Sequence, residues 1–133
     1  MKYDALFTPF KIGNMEVKNR FVMAPMGTNS SHIDGCIAND EIDYFEARAK
    51  GGVGLIIMGC QFLNPDLAQG SLEGILQNSY VIPQLTTVVE ATHRWGQKFV
   101  VKLVVELEEM LFLTCMENHH SLQVIHHQHL ILK

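Results

Sequence analysis

Residues 40–59 read DEIDYFEARAKGGVGLIIMG, and this stretch decides the fold class. Its first half carries Ile42, Phe45 and Ala49 at helical spacing, with Tyr44 less neatly placed. Asn39 or Asp40 is expected to cap this helix, and Asp40, Glu41 and Asp43 lie favourably at its positive end. Gly51-Gly52 stops it after Lys50. Val53 to Met58 is then a short apolar run bounded by Gly59, as in a strand buried on both faces. A helix that hands over to such a strand implies a parallel β/α unit.

The flanks repeat the pattern. Upstream, Phe10-Lys11-Ile12 and Met15-Glu16-Val17 flank Gly13-Asn14, whose chemistry suits a tight hairpin. Arg20 to Met26 follows as a short apolar run with Pro25 near its end, expected of a buried strand entering a loop. Downstream, Pro83 sits where a first helical turn tolerates proline. The stripe Leu85, Val88, Val89, Thr92 runs on to Trp95, and Gly96 ends that helix. Residues 98–103 form a third strand. Beyond Leu103 the character changes. Residues 104–133 hold Glu106, Glu108 and Glu109, five of the seven histidines, no Gly, no Pro and no clear period.

The 133 residues make one domain of ordinary size, and 47% hydrophobic with 18% charged residues is globular composition. A net charge of −4 argues against a sequence-independent nucleic-acid binder. Cys36, Cys60 and Cys115 have no paired spacing, so neither a disulfide framework nor a zinc knuckle is indicated, and a reducing cytoplasm fits best. The N-terminus carries Lys2 and Asp4 without a long apolar run, unlike a signal peptide. No run approaches the roughly 18 apolar residues of a membrane span.

Gly51-Gly52-Val53-Gly54 is not a phosphate loop. Such a loop follows a strand and opens a helix, and here the order is helix, glycines, strand. Pro25-Met26-Gly27 and Gly59 carry more, because each falls at the C-terminal end of an expected parallel strand, where barrels and open α/β sheets bind ligands. His119, His120, His126, His127 and His129 invite a metal-site reading, but no rigid frame or supporting partners accompany them, so no metal site is assigned. His32 and His93 are singletons, read as solvated or helix-surface residues.

Taken together, LFTPFKIGNMEVKNRFVMAPMGT (6–28), residues 40–59 and HRWGQKFVVKL (93–103) resemble the N-terminal part of the old yellow enzyme family. Within that family the likeness is greatest to the NADH:flavin oxidoreductase branch, with 2,4-dienoyl-CoA reductase and the bile-acid-inducible enone reductases. The resemblance covers residues 1 to about 103 and implies the first part of a (β/α)8 barrel with FMN at the strand C-termini, its hairpin plugging the bottom. It further implies reduction of FMN by NADH or NADPH and hydride transfer to an activated C=C bond of an enone, enoyl thioester or steroid. No nucleic-acid or membrane partner is expected. By position, Pro25, Met26 and Gly27 would line the flavin through their backbone, and Gly59 would pack on it. Gly27 is smaller than the residue often found there. Lys102 stands where the family has Gln; Lys donates but cannot accept, so it could serve a flavin carbonyl and not the ring N–H.

The family's Gly-rich, Arg-containing loop after the third strand has no counterpart at 104–133, and no catalytic residue is assigned. The genetic code offers a reason. If one base is lost near codon 103, true codons begin at the third base of each codon read here. Residues 105–112 then permit Gly-Thr-Gly-Arg-Asn-Ala-Phe, and the following codons permit Pro-Asp-Met-Tyr-Gly-Glu-Pro-Pro, strings that resemble the family's continuation. Residues 104–133 are therefore expected to be an out-of-frame, irregular tail, and the chain to be truncated and inactive. The family's iron–sulfur cluster is expected only in an intact long-chain member. The alternatives are a non-catalytic α/β fragment that self-associates through the bare edge of its third strand, and an α/β module with a metal-binding tail.

Overall fold

The computed structural model describes residues 3–105 and the strands Met110–Cys115 and Leu122–His126. After a short 3-10 turn at Asp4–Phe7, strands β1 (Phe10–Ile12) and β2 (Met15–Val17) form the expected antiparallel hairpin, with Gly13 at φ +58° in its turn. That left-handed conformation carries little penalty only for glycine. The main sheet starts with β3 (Val22–Met23), and α1 (Asn39–Lys50) leads into β4 (Leu55–Phe62). A one-turn α2 (Pro65–Ala68) and α3 (Val81–His93) then lead into β5 (Lys98–Val104). Strand β4 pairs parallel with both β3 and β5, so the β/α reading holds.

The sheet has two apolar faces. On one, Ile56 and Met58 of β4 and Phe99 and Val101 of β5 pack under Phe45 and Ala49 of α1 and Val88 of α3. Phe45 and Phe99 meet edge to face at 5.5 Å. On the other, Leu55 and Val100 pack against Met15 and Val17, so the hairpin closes the N-terminal end of the strands on the face away from the helices.

Three features depart from the sequence reading. Helix α1 begins one residue earlier than a side-chain cap requires: Ala38 precedes it, and the Ala38 carbonyl accepts from the amides of Glu41 and Ile42 at 3.1 and 3.3 Å. Strand β4 does not end at Gly59 but runs on to Phe62, with an irregularity between Met58 and Cys60 that absorbs one residue. Beyond residue 104 the backbone is not wholly irregular. Strand β6 (Met110–Cys115) lies antiparallel along β5, and β7 (Leu122–His126) along β6. The Leu, Phe and Thr content of 110–115 favours a strand even without a clear period. The bare edge expected on β5 is consequently covered, and among the described strands the sheet's outer members are β3 and β7. Among the described residues, no helix is long and apolar enough to cross a membrane.

Candidate functional site

Sheet alternation fixes where Lys102 lies. Val100 belongs to the hairpin face, so Lys102, two residues on, shares that face and stands nearer the C-terminal end of β5. It is half-buried and opposite Cys60 in the register with β4. The segment Pro25–Gly27 leaves the C-terminal end of β3 exposed to solvent, with Met26 63% accessible. Gly59 is buried beneath it. A Cβ on Gly59 would fall 2.5 Å from the Met26 carbonyl oxygen and 3.1 Å from the Gly27 α-carbon. The first requirement for glycine at 59 is therefore the close approach of one backbone to another. Of the five residues singled out from sequence, Pro25–Gly27 follow the end of β3, while Gly59 and Lys102 lie within β4 and β5, towards their C-terminal halves.

Two buried acids behind this ledge were not singled out from the sequence as site residues. Glu41, at the start of α1, is 1% exposed, and its two carboxyl oxygens accept from the Thr28 and Ser31 hydroxyls at 3.0 and 2.8 Å. Glu73, in the loop before α3, is 3% exposed; its Oε1 accepts from the Asn29 amide at 2.8 Å, while its Oε2 is buried without a hydrogen-bond partner. Burial pushes both carboxyls above the usual range. The two hydroxyls oppose this at Glu41, and the Asn29 amide opposes it at Glu73, where the nearby Glu41 adds a further upward push. From the sequence alone, Glu41 reads only as a favourable helix-start charge. Glu73 lies in an aperiodic stretch, and the sequence signal that could have exposed it is the small residue at 27.

The same loop is stitched to residues 71–73 by further bonds. The Ser31 amide donates to the Leu72 carbonyl at 3.0 Å, and the Asn29 side-chain oxygen accepts from the Ser71 hydroxyl and Leu72 amide at 3.2 Å each. Asn29 itself adopts φ +49°. Cys36 and Cys60 are free thiols, and burial raises the Cys36 thiol. Among the described residues no group of three metal-capable side chains converges. His119, His120, His127 and His129 lie outside the described residues.

Comparison with known proteins gives a consistent picture. The family model of the NADH:flavin oxidoreductase / NADH oxidase family matches residues 5–118. The NADH oxidase of Thermoanaerobacter brockii is 37% identical over 104 residues, which is 76% of this chain and 16% of that protein. The cinnamate reductase of Clostridium sporogenes is 32% identical over 107 residues, 77% of this chain and again 16% of the relative. The old yellow enzyme from Trypanosoma cruzi superposes with a TM-score of 0.69 at 26% identity, covering 78% of this chain and 28% of that one. The described β/α units thus correspond to part of a (β/α)8 barrel, and the chain spans about one sixth of the length of the two curated relatives.

Proposed function

Because this chain belongs to the NADH:flavin oxidoreductase / NADH oxidase family, we propose that it is the N-terminal part of an FMN-dependent oxidoreductase. In this reading the intact enzyme takes hydride from NADH or NADPH and delivers it to an activated C=C bond of an enone, enoyl thioester or steroid. The observation that carries it is that the Pro25–Gly27 segment after β3 lies on Gly59 of β4, and Lys102 of β5 stands opposite the next residue, Cys60, towards the C-terminal half of three adjacent parallel strands. The C-terminal end is where such barrels do their chemistry. The residues fit a flavin in kind. Pro25–Gly27 offers an exposed backbone ledge, Gly59 lets that ledge lie flat on β4, and Lys102 brings a cation to the hairpin face. FMN, when bound, would supply the hydride-accepting and hydride-donating ring. The chain's own part would be to back the flavin with the Pro25–Gly27 ledge and to offer it an N–H from Lys102, which can serve a carbonyl. Loops after strands seven and eight of a complete barrel would hold the phosphate.

The test is FMN titration by fluorescence quenching with the chain and its K102M and K102Q variants. Lys102→Gln is expected to bind at least as well as the parent, because Gln both donates and accepts, whereas Lys102→Met loses about tenfold or more. Equal affinities in all three would remove Lys102 from the site.

A second reading is favoured by one observation. Strand β6 runs antiparallel along β5, where a barrel would place a parallel strand. Residues 104–133 are in this reading an out-of-frame tail, and the chain carrying them is a truncated, non-catalytic fragment. Sequencing the source DNA across codons 98–108 tests it: one extra base near codon 103 supports the frame shift, and the bases implied by the present chain refute it.

A further inference from the structure

We propose that Glu73 is a positioning residue for the Pro25–Gly27 ledge, filling as a neutral acid the space where residue 27 would otherwise carry a side chain. The link to a cofactor rests on the reading of that ledge as flavin-lining; the hold on the loop does not.

Three observations converge. A Cβ built on Gly27 would lie 2.7 Å from Glu73 Oε1, so the carboxyl occupies the volume of a side chain at 27. The same oxygen accepts the Asn29 amide at 2.8 Å, which fixes the backbone two residues further on. The other oxygen, Oε2, has no partner in a residue that is 3% exposed. A buried carboxylate with one bare oxygen is far costlier than a carboxylic acid with one idle hydroxyl. Glu41 is the contrasting case: both its oxygens accept hydroxyl protons, the pattern that suits a carboxylate. The ionisable group acting on Glu73 is Glu41 of α1, and the loop side meets it with the Thr28 and Asn29 amides. Burial raises both carboxyls, and it is the hydrogen-bond pattern that assigns the charge to Glu41 and the proton to Glu73.

The linkage has a definite sign. Burial and Glu41 raise the folded-state pKa of Glu73 above its unfolded value, so the folded state binds the extra proton. The stabilisation is complete below the ordinary glutamate range and is lost as pH climbs through the raised value. Each unit of elevation is worth about tenfold in the folding constant.

Urea unfolding of the full chain between pH 5 and 8, together with FMN titration, tests this on the parent, E73Q, E73A, G27A and the double variant G27A/E73A. Glu73→Gln mimics the neutral acid, so it should fold as well as the parent at pH 5 and show a flatter decline towards pH 8. Gly27→Ala should lower the folding constant about tenfold in the parent and less than threefold beside Glu73→Ala, because the occupied space is then free. An unchanged pH slope in E73Q, or an equal Gly27→Ala penalty in both backgrounds, overturns the proposal. If Glu73→Ala proves unfolded, the E73Q slope still decides. FMN bound equally well by the parent and a folded E73A overturns the positioning role. FMN bound by no variant, with the pH and Gly27 results as expected, refutes flavin binding by this chain and upholds the hold on the loop.

Discussion

Replacing Gly59 by alanine probes the ledge at its tightest point. The added Cβ would stand 2.5 Å from the Met26 carbonyl oxygen, 2.9 Å from its carbon and 3.1 Å from the Gly27 α-carbon, against the 3.4 Å at which ordinary contact begins. All three are backbone atoms, so no side chain can swing aside. The segment after β3 must retreat by about 0.9 Å to restore contact distance at the carbonyl oxygen. Overpacking of this kind costs about 1–3 kcal/mol. Alanine gives back roughly 0.5–1 kcal/mol through the smaller backbone entropy it loses on folding. Because the overlap is with backbone at 2.5 Å, the cost falls in the upper part of that range, about 2–3 kcal/mol, and the expected net loss is about 1–2.5 kcal/mol, a drop of roughly 5- to 70-fold in the folding constant. Urea denaturation followed by far-ultraviolet circular dichroism measures it. Gly51→Ala is the control: Gly51 has φ −68° and its nearest contact is 3.3 Å, so its change should stay within about 0.5 kcal/mol. A Gly59→Ala chain as stable as the parent would refute the close approach of β4 to the Met26–Gly27 peptide.

Other perturbations follow from the same packing. Phe45→Ala empties a fully buried site that meets Phe99 at 5.5 Å and should cost about 3–5 kcal/mol by the same denaturation assay. Asn19→Ala should cost about 2 kcal/mol, since its side chain donates to the Gly52 carbonyl at 2.7 Å and accepts the Phe21 amide at 3.1 Å. The first bond ties the entrance of β3 to the turn before β4 and the second braces that entrance locally, so amide exchange at Phe21 should accelerate in that variant.

The parts of the fold written in local chemistry were readable from the chain. The Gly13-Asn14 turn set the hairpin, Gly51-Gly52 ended α1, and apolar runs at 53–58 and 98–103 marked two buried strands. What escaped depended on distant partners. Strand β4 continues past Gly59 because β5 pairs with it through Val104, across an irregularity no local pattern announces. Glu73 meets Asn29 from 44 residues away, and Glu41 reads as a surface charge until Thr28 and Ser31 fold over it. Strand β6 pairs onto the edge of β5, and β7 onto β6, without any clear alternation in their own sequence. Of the five residues chosen from sequence, Pro25–Gly27 follow the end of β3 and Lys102 lies towards the C-terminal half of β5, while Gly59 lies under the ledge as its support.

The most direct test of the central claim is the absorption of the product purified from the source gene, read through in its natural frame. The account predicts a yellow protein that releases FMN on denaturation and is bleached by NADH or NADPH. A folded but colourless product that takes up no added FMN would contradict it.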